Sequence, residues 1–370
     1  MIPFVDLRAA HEEVAEEIDA GFARVLGSTA FMQGPDVAAF EEEFAAFSGV
    51  AHCVGVGNGT DAIELALRAL GVGAGSEVIL PANTFVATAE AVLRAGARPV
   101  LVDADPAHLL MDPDGLAAAV TSRTAAVIPV HLYGRLAPMD RIIEIAGDVP
   151  VVEDAAQSQG AARGGTVSGA FGALAATSFY PGKNLGAYGD AGAVTTGSAE
   201  LARKVRLLSN HGSEVKYRHE TLGFNSRLDT LQAVVLRAKL RRLGEWNDRR
   251  REAAARYGEL LADLAGAGVT PPATPEESLR SDHVWHLYVV RVPDRDRDRV
   301  LAGLHELGVQ AQIHYPVPVH LQPAFADLGY REGDFPVAER AAGEILSLPI
   351  FPHITPEQQE QVVDALRKAL

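Results

Sequence analysis

Between about residues 53 and 208 the chain alternates short apolar runs with longer amphipathic ones, and this rhythm restricts its fold more than any single residue does. Runs at 53–56, 77–80, 98–102, 125–130, 149–153, 175–179 and 191–195 are rich in Val, Ile, Leu and Ala and too short for stable helices. The stretches 60–70, 85–94, 139–146 and 199–208 repeat apolar residues at helical spacing. Strands separated by helices run parallel, and the crossover helices cover both faces of the sheet. The spacing therefore predicts an α/β protein with a mostly parallel sheet. An amphipathic helix is predicted over 10–27, with Val14, Ile18, Phe22, Val25 and Leu26 on one face. One long helical stretch follows over 227–261, softly interrupted at Gly244. A loop over 269–280 carries Pro271, Pro272 and Pro275, and then come a strand over 285–292 and a helix over 297–307. The last helix is announced by Thr355 as cap, Pro356 at the first position and Gln358 as the return bond of a capping box. The simplest partition is a large domain over 1–245 and a smaller C-terminal α+β domain over 246–370.

Composition narrows the partners. With 370 residues, 48% of them hydrophobic, the chain can bury a large core. A net charge of −15 weighs against non-specific nucleic-acid binding. Cys53 is the only cysteine, so an intramolecular disulfide is impossible, and its place in a predicted strand reads as a small core residue. The start, Met1-Ile2-Pro3-Phe4-Val5-Asp6, lacks a basic segment followed by an apolar run, and no stretch has the length of a membrane span; a cytoplasmic protein is expected. His283 and His286 fall on opposite faces of a predicted strand, and His131, His314 and His320 have no second ligand at metal spacing, so no metal site is expected.

The chemistry lies in two segments. Val151-Val152-Glu153-Asp154 ends a strand on a carboxylate, and Ser178-Phe179-Tyr180-Pro181-Gly182-Lys183 leads from a strand into a glycine-rich turn. Alone, such a Lys is usually a solvated charge and such an Asp a cap. Together they are what pyridoxal phosphate needs: an amine to form a Schiff base with the aldehyde, and a carboxylate to keep the ring nitrogen protonated. Gly55-Val56-Gly57-Asn58-Gly59-Thr60-Asp61-Ala62 admits three readings. It matches a dinucleotide pattern with Glu77 as ribose ligand, although Glu77 begins a strand rather than ending one. It also suits one phosphate held by the N–H groups and Thr60 hydroxyl at a helix start, or a plain glycine turn with a cap. Phe85 is either a core residue or a ring stacked on a flat ligand, with Asn83 and Thr84 as caps. Ser178 is a turn serine or a second phosphate donor, and Gly182, Gly186 and Gly189 give the turn conformational freedom. The polar segment 211–219 is a solvated connection or presents Lys216 and Arg218 to an anionic substrate.

Taken together, Pro3-Phe4-Val5-Asp6-Leu7, Gly57-Asn58-Gly59-Thr60-Asp61-Ala62, Pro81-Ala82-Asn83-Thr84-Phe85, Glu153-Asp154-Ala155-Ala156-Gln157, the Ser178 to Leu185 segment, Gly223-Phe224-Asn225-Ser226-Arg227-Leu228-Asp229 and His314-Tyr315-Pro316-Val317-Pro318-Val319-His320 resemble the DegT/DnrJ/EryC1/StrS family of nucleotide-sugar aminotransferases. The resemblance implies a fold-type-I, aspartate aminotransferase-like enzyme. In it Lys183 carries pyridoxal 5'-phosphate and shuttles the proton, and Asp154 pairs with the ring nitrogen. Phe85 stacks on the ring, Gln157 contacts its other side or its hydroxyl, and Gly59, Thr60 and Ser178 hold the phosphate. Asn225 reaches the phosphate of a neighbouring subunit, which implies a homodimer with shared sites. Relatives with His in place of this Lys dehydrate their substrates, so Lys183 implies transamination. The amino donor implied is L-glutamate and the acceptor a dTDP-linked keto-deoxysugar, with amination at C3 favoured by the Lys216-Tyr217-Arg218 loop and the segment from His314 and Tyr315 to Phe325. Alternatives are C4 amination of a dTDP- or UDP-linked 4-keto hexose or pentose, an aminocyclitol aminotransferase, a regulatory or binding protein on the same fold, and a nicotinamide dehydrogenase resting on the glycine pattern alone.

Overall fold

The computed structural model describes residues 1–370 apart from Asp294. Seven strands carry the alternating region: β1 (His52–Val56), β2 (Glu77–Pro81), β3 (Arg98–Val102), β4 (Thr124–Val127), β5 (Val152–Asp154), β6 (Leu174–Ser178) and β7 (Gly192–Thr196). β2 pairs in parallel with β3 and β4, and β5 in parallel with β6. Parallel bridges Val127↔Val151 and Val130↔Asp154 join the β4 and β5 segments. β7 lies antiparallel between β6 and β1. The order is therefore β3-β2-β4-β5-β6-β7-β1, with β7 alone reversed. This is the mostly parallel sheet the spacing predicts. Because β1, β2, β5 and β6 share one direction, the segments that leave their carboxyl ends emerge on one edge, where open α/β sheets bind ligands.

Both faces are covered, and the period of two shows which residues go where. Val54 and Val194 face a cluster with Leu65, Ala66 and Leu67 of the helix Gly59–Ala69. Their neighbours Cys53 and Ala193 face the opposite cluster, with Phe40 and Phe44 of the helix Pro35–Ser48. There Phe179 meets Phe40 and Phe44 edge-on at 5.4 and 5.3 Å. The C-terminal part adds an antiparallel pair, β8 (Tyr288–Arg291) with β9 (Ile345–Leu348). It shares a core with the helices Arg297–Glu306 and Pro356–Ala369, and the Thr355–Gln358 capping box forms as predicted.

Four details differ from expectation. The predicted 10–27 helix is two, Leu7–Glu12 and Ala15–Ser28; Val14 caps the second, and Leu26 is exposed rather than on the apolar face. The helix Thr230–Leu260 passes Gly244, and with it position 245, without interruption. A glycine there costs about 1 kcal/mol in helix propensity, and burial of Leu240, Leu243 and Trp246 around it outweighs that. The helix Pro35–Ser48 was not expected, although Pro35 at its first turn and the i,i+4 pair Phe40/Phe44 were visible. The strand expected over 285–292 is confined to β8, and His283 and His286 lie before it. No helix among the described residues is long and apolar enough to cross a membrane.

Phe179→Ala removes the ring on which Phe40 and Phe44 close. It should lower stability by about 3–5 kcal/mol, read as a shift of the urea unfolding midpoint; an unshifted midpoint would contradict this packing.

Candidate active site

The carboxyl edge of the sheet gathers one cavity of about 490 Å³, lined by residues that follow β1, β2, β5 and β6. β5 delivers Asp154. Its Oδ2 accepts from the Thr88 hydroxyl at 2.8 Å and its Oδ1 from the Ala156 N–H at 3.2 Å. Burial pushes the Asp154 pKa up, against the pull of these two donors and of Lys183. Lys183 follows β6 in the connection to β7 and lines the same cavity. Burial pushes its pKa down to about 8, opposed by the Asp154 charge. A lysine so placed holds a substantial neutral fraction near neutral pH, which both a nucleophile and a general base require.

β1 leads into the helix Gly59–Ala69. Asn58, not Thr60, is its cap and accepts from the Asp61 N–H at 2.8 Å. The N–H groups of Gly59 and Thr60 have no hydrogen-bond acceptor among the described residues, and both residues face the cavity wall with Ser178. Such open donors at a helix start form an anion site. A Cβ added at Gly59 would lie 2.6 Å from the Ser178 Cβ, so glycine is what lets the helix start close on β6. Glu77 is at the opposite, amino end of β2, bonded to Thr121 and Arg123 at 2.7 Å. The dinucleotide reading thereby loses its ribose ligand.

Phe85 is 49% exposed at the cavity and is not a core residue. Its ring lies 5.1 Å from that of Tyr315. Asn83 and Thr84 do not cap the helix Val86–Arg94: Phe85 holds that position, Asn83 donates to the Leu109 oxygen at 2.8 Å, and the Thr84 hydroxyl meets that of Thr88, also at 2.8 Å. Gln157 accepts from the Tyr133 N–H at 2.6 Å and donates to the Tyr315 hydroxyl at 3.1 Å. His314 lines the cavity and bonds Ser347 at 2.9 Å; burial, helped by the Lys183 charge, pushes its pKa down to about 4. Gly182, Gly186 and Gly189 do not use left-handed backbone. Gly186 is required for room instead, since its Cβ would fall 2.3 Å from the Pro181 oxygen.

Lys216, Tyr217, Arg218 and Asn225 line no part of this cavity among the described residues. Tyr217 is exposed with Lys216 over its ring at 5.1 Å, and Asn225 accepts from Arg227 at 2.6 Å. Sequence reasoning missed Thr88, His286 and Arg250. No local motif marks them, because each reaches the cavity only through the packing of its helix or loop.

The set matches the groups of pyridoxal phosphate: open N–H donors beside a hydroxyl for a phosphate, an exposed aromatic face for a ring, a buried carboxylate for a ring nitrogen and a buried amine for an aldehyde. The model of the DegT/DnrJ/EryC1/StrS aminotransferase family matches residues 12–367. The chain belongs to that family. A dTDP-3-amino-3,4,6-trideoxy-alpha-D-glucose transaminase of Streptomyces venezuelae is 49% identical over 369 residues, covering 99% of this chain and 96% of the relative. The crystal structure of S. venezuelae DesV in complex with a ketimine intermediate superposes with a TM-score of 0.94 at 49% identity, over 99% of this chain and 98% of that one. That of NtdA from Bacillus subtilis with bound cofactor PMP superposes with a TM-score of 0.91 at 35% identity, over all of this chain and 85% of that one. The protein is thus a member of a family of sugar aminotransferases, and the dehydrogenase reading is set aside.

Mass-spectrometric labelling of the cofactor-free protein with an amine reagent should give Lys183 a titration midpoint of about 8. Asp154→Asn removes the charge that holds this pKa up, so the midpoint should move lower. A midpoint near that of an exposed lysine would contradict the burial.

Proposed function

We propose that this protein is a pyridoxal 5'-phosphate-dependent aminotransferase that moves the amino group of L-glutamate to C3 of a dTDP-linked keto-deoxysugar. The observation that carries the reading is the single cavity shared by Lys183, Asp154 and the open helix start at Gly59 and Thr60. The cofactor, when bound, supplies a ring that accepts the negative charge developing at the carbon that bears the amine. Asp154 is the partner of the ring nitrogen: a desolvated carboxylate fixed by Thr88 and Ala156 forms a charge-assisted bond to a protonated nitrogen. Lys183 Nζ, freed from the cofactor, takes the proton from the substrate carbon, and its lowered pKa keeps it basic but unprotonated often enough to act. Gly59, Thr60 and Ser178 hold the phosphate, Phe85 covers the ring, and Gln157, fixed by Tyr133 and Tyr315, supports it from beside. His314 and Tyr315 limit the space in which the sugar lies.

The C3 assignment and the dTDP group are supported by the S. venezuelae relative, which is named for a dTDP-3-amino sugar. Asn225 and the exposed Lys216-Tyr217-Arg218 loop are proposed to complete the site of a second copy in a homodimer, the loop contacting the sugar nucleotide. Residues 1–245 and 246–370 are proposed as a cofactor-binding and a smaller domain that share the helix Thr230–Leu260.

The purified protein, given glutamate and a panel of dTDP- and UDP-linked 3-keto and 4-keto sugars, should aminate a dTDP-3-keto-6-deoxyhexose fastest. Preference for a 4-keto sugar or a cyclitol ketone would move the assignment within the family; no turnover with any ketone, with cofactor bound, would favour a binding protein. Gly59→Ala, which crowds Ser178, should weaken retention of the cofactor by roughly tenfold or more, read by absorbance after dialysis; unchanged retention would contradict the phosphate assignment.

A further inference from the structure

Arg250 is a buried cation that the mechanism above does not use. It lies on the helix Thr230–Leu260, is 3% exposed and lines the same cavity as Lys183. All its hydrogen bonds leave from Nη1, to the main-chain oxygens of Trp285, His286 and Ile350 at 3.1, 3.5 and 3.0 Å. Nε is enclosed without a partner. No hydrogen bond from Nη2 and no carboxylate paired with Arg250 occurs among the described residues. Burial alone lowers its pKa, to about 9, which leaves it a cation at neutral pH. A desolvated charge without a counterion is costly, and native proteins pair such charges. Nε and Nη2 form one edge of the planar guanidinium, the edge that engages a carboxylate through two parallel bonds. Three main-chain acceptors on Nη1 hold the group so that this edge is the one left over.

We propose that Arg250 binds the α-carboxylate of the amino donor, an assignment that rests on the aminotransferase reading above. Arg250 and Lys183 line the same cavity, and His286 links them: its main-chain oxygen accepts from Arg250 Nη1 at 3.5 Å, and its ring meets Oδ1 of Asn184, the residue after Lys183, at 3.2 Å. That proximity suits a carboxylate bonded directly to the reacting carbon. A nucleotide diphosphate is separated from the keto carbon by the sugar ring and carries a nucleoside that needs an open flank, which a site this enclosed does not offer. His286, held neutral by burial and by the Lys183 charge, and His314, pushed down to about 4, add no competing cation. Beside Lys183 itself, Arg250 is therefore the cation of this part of the cavity.

The test measures KM for L-glutamate and for the keto sugar separately in the cofactor-loaded wild type, R250Q and R250K. In R250Q the glutamate KM should rise roughly 10- to 100-fold, with the sugar KM within about twofold of wild type, and R250K should recover part of the loss. Wild type should use isoglutamine, whose α-carboxylate is an amide, much less well than glutamate, and R250Q should lose that discrimination. An unchanged glutamate KM in R250Q overturns the assignment. So does a rise confined to the sugar KM, which would give Arg250 to the diphosphate. Should R250Q fail to fold, the wild-type comparison decides, since equal use of isoglutamine and glutamate overturns the assignment on its own. A wild type that transfers no amine from glutamate to any keto sugar would instead overturn the aminotransferase reading, so the two failures are distinct.

Discussion

The site is organised around a carboxylate placed where it costs most. Asp154 is the last residue of β5, desolvated at the floor of the cavity, and tolerable there because Thr88 and Ala156 each donate to one of its oxygens. The strand end itself is fixed by the neighbouring residue. Glu153, fully buried on the other face, accepts from the N–H groups of Gly169, Phe171 and Gly172 at 2.9, 2.8 and 2.9 Å. It also accepts from His131 Nε2 at 2.9 Å, and His131 Nδ1 in turn accepts from the Ala137 N–H at 3.1 Å. Two acids in succession thus serve opposite faces of one strand. Glu153 ties the loops behind the sheet, and Asp154 is presented to the cavity.

The reversed strand has a matching role. Since β7 runs antiparallel to β6, the two are joined by the connection that carries Lys183, which brings the lysine turn back across the carboxyl edge instead of over a face of the sheet. Lys239 holds this turn from below, donating to the Gly186 oxygen at 2.7 Å. The amine and the acid therefore reach one cavity from neighbouring strands, and the helix start proposed to hold the phosphate arrives from β1 at the far side of β7. Each lowers or raises the other's proton affinity in the direction catalysis uses: the Asp154 charge keeps Lys183 from losing its basicity entirely, and the Lys183 charge helps keep Asp154 ionised.

Much of this was legible in the sequence, for definite reasons. Strands and helices of the alternating region follow from local periodicity, and the Thr355 capping box from side-chain chemistry within four positions. Asp154 and Ser178, which end strands, Gly59 and Thr60, which begin a helix, and Lys183, in the glycine-rich turn after β6, could be singled out because each lies at a recognisable turn, and the structure gathers them at one cavity. What stayed hidden depends on distance in the chain. Thr88 lies on the helix after β2 and meets Asp154 only when that helix packs beside β5. Arg250 resembles its neighbours Arg249 and Arg251 in sequence; of the three it alone is a buried residue, bonded to main-chain oxygens just before β8 and just after β9. The Gly244 interruption was misread because helix propensity was weighed without the burial on either side of it. The caps expected at Asn83 and Thr84 did not form because Asn83 donates to the Leu109 oxygen and the Thr84 hydroxyl meets that of Thr88.

The measurement that bears most directly on this account is turnover of Asp154→Asn at saturating glutamate and keto sugar, with cofactor content determined in the same sample. Asparagine keeps the shape and can still accept from Thr88, but it cannot hold a proton on a ring nitrogen by charge. The account predicts a protein that retains pyridoxal phosphate and loses roughly a hundredfold or more in kcat. Near wild-type turnover with full cofactor would contradict it.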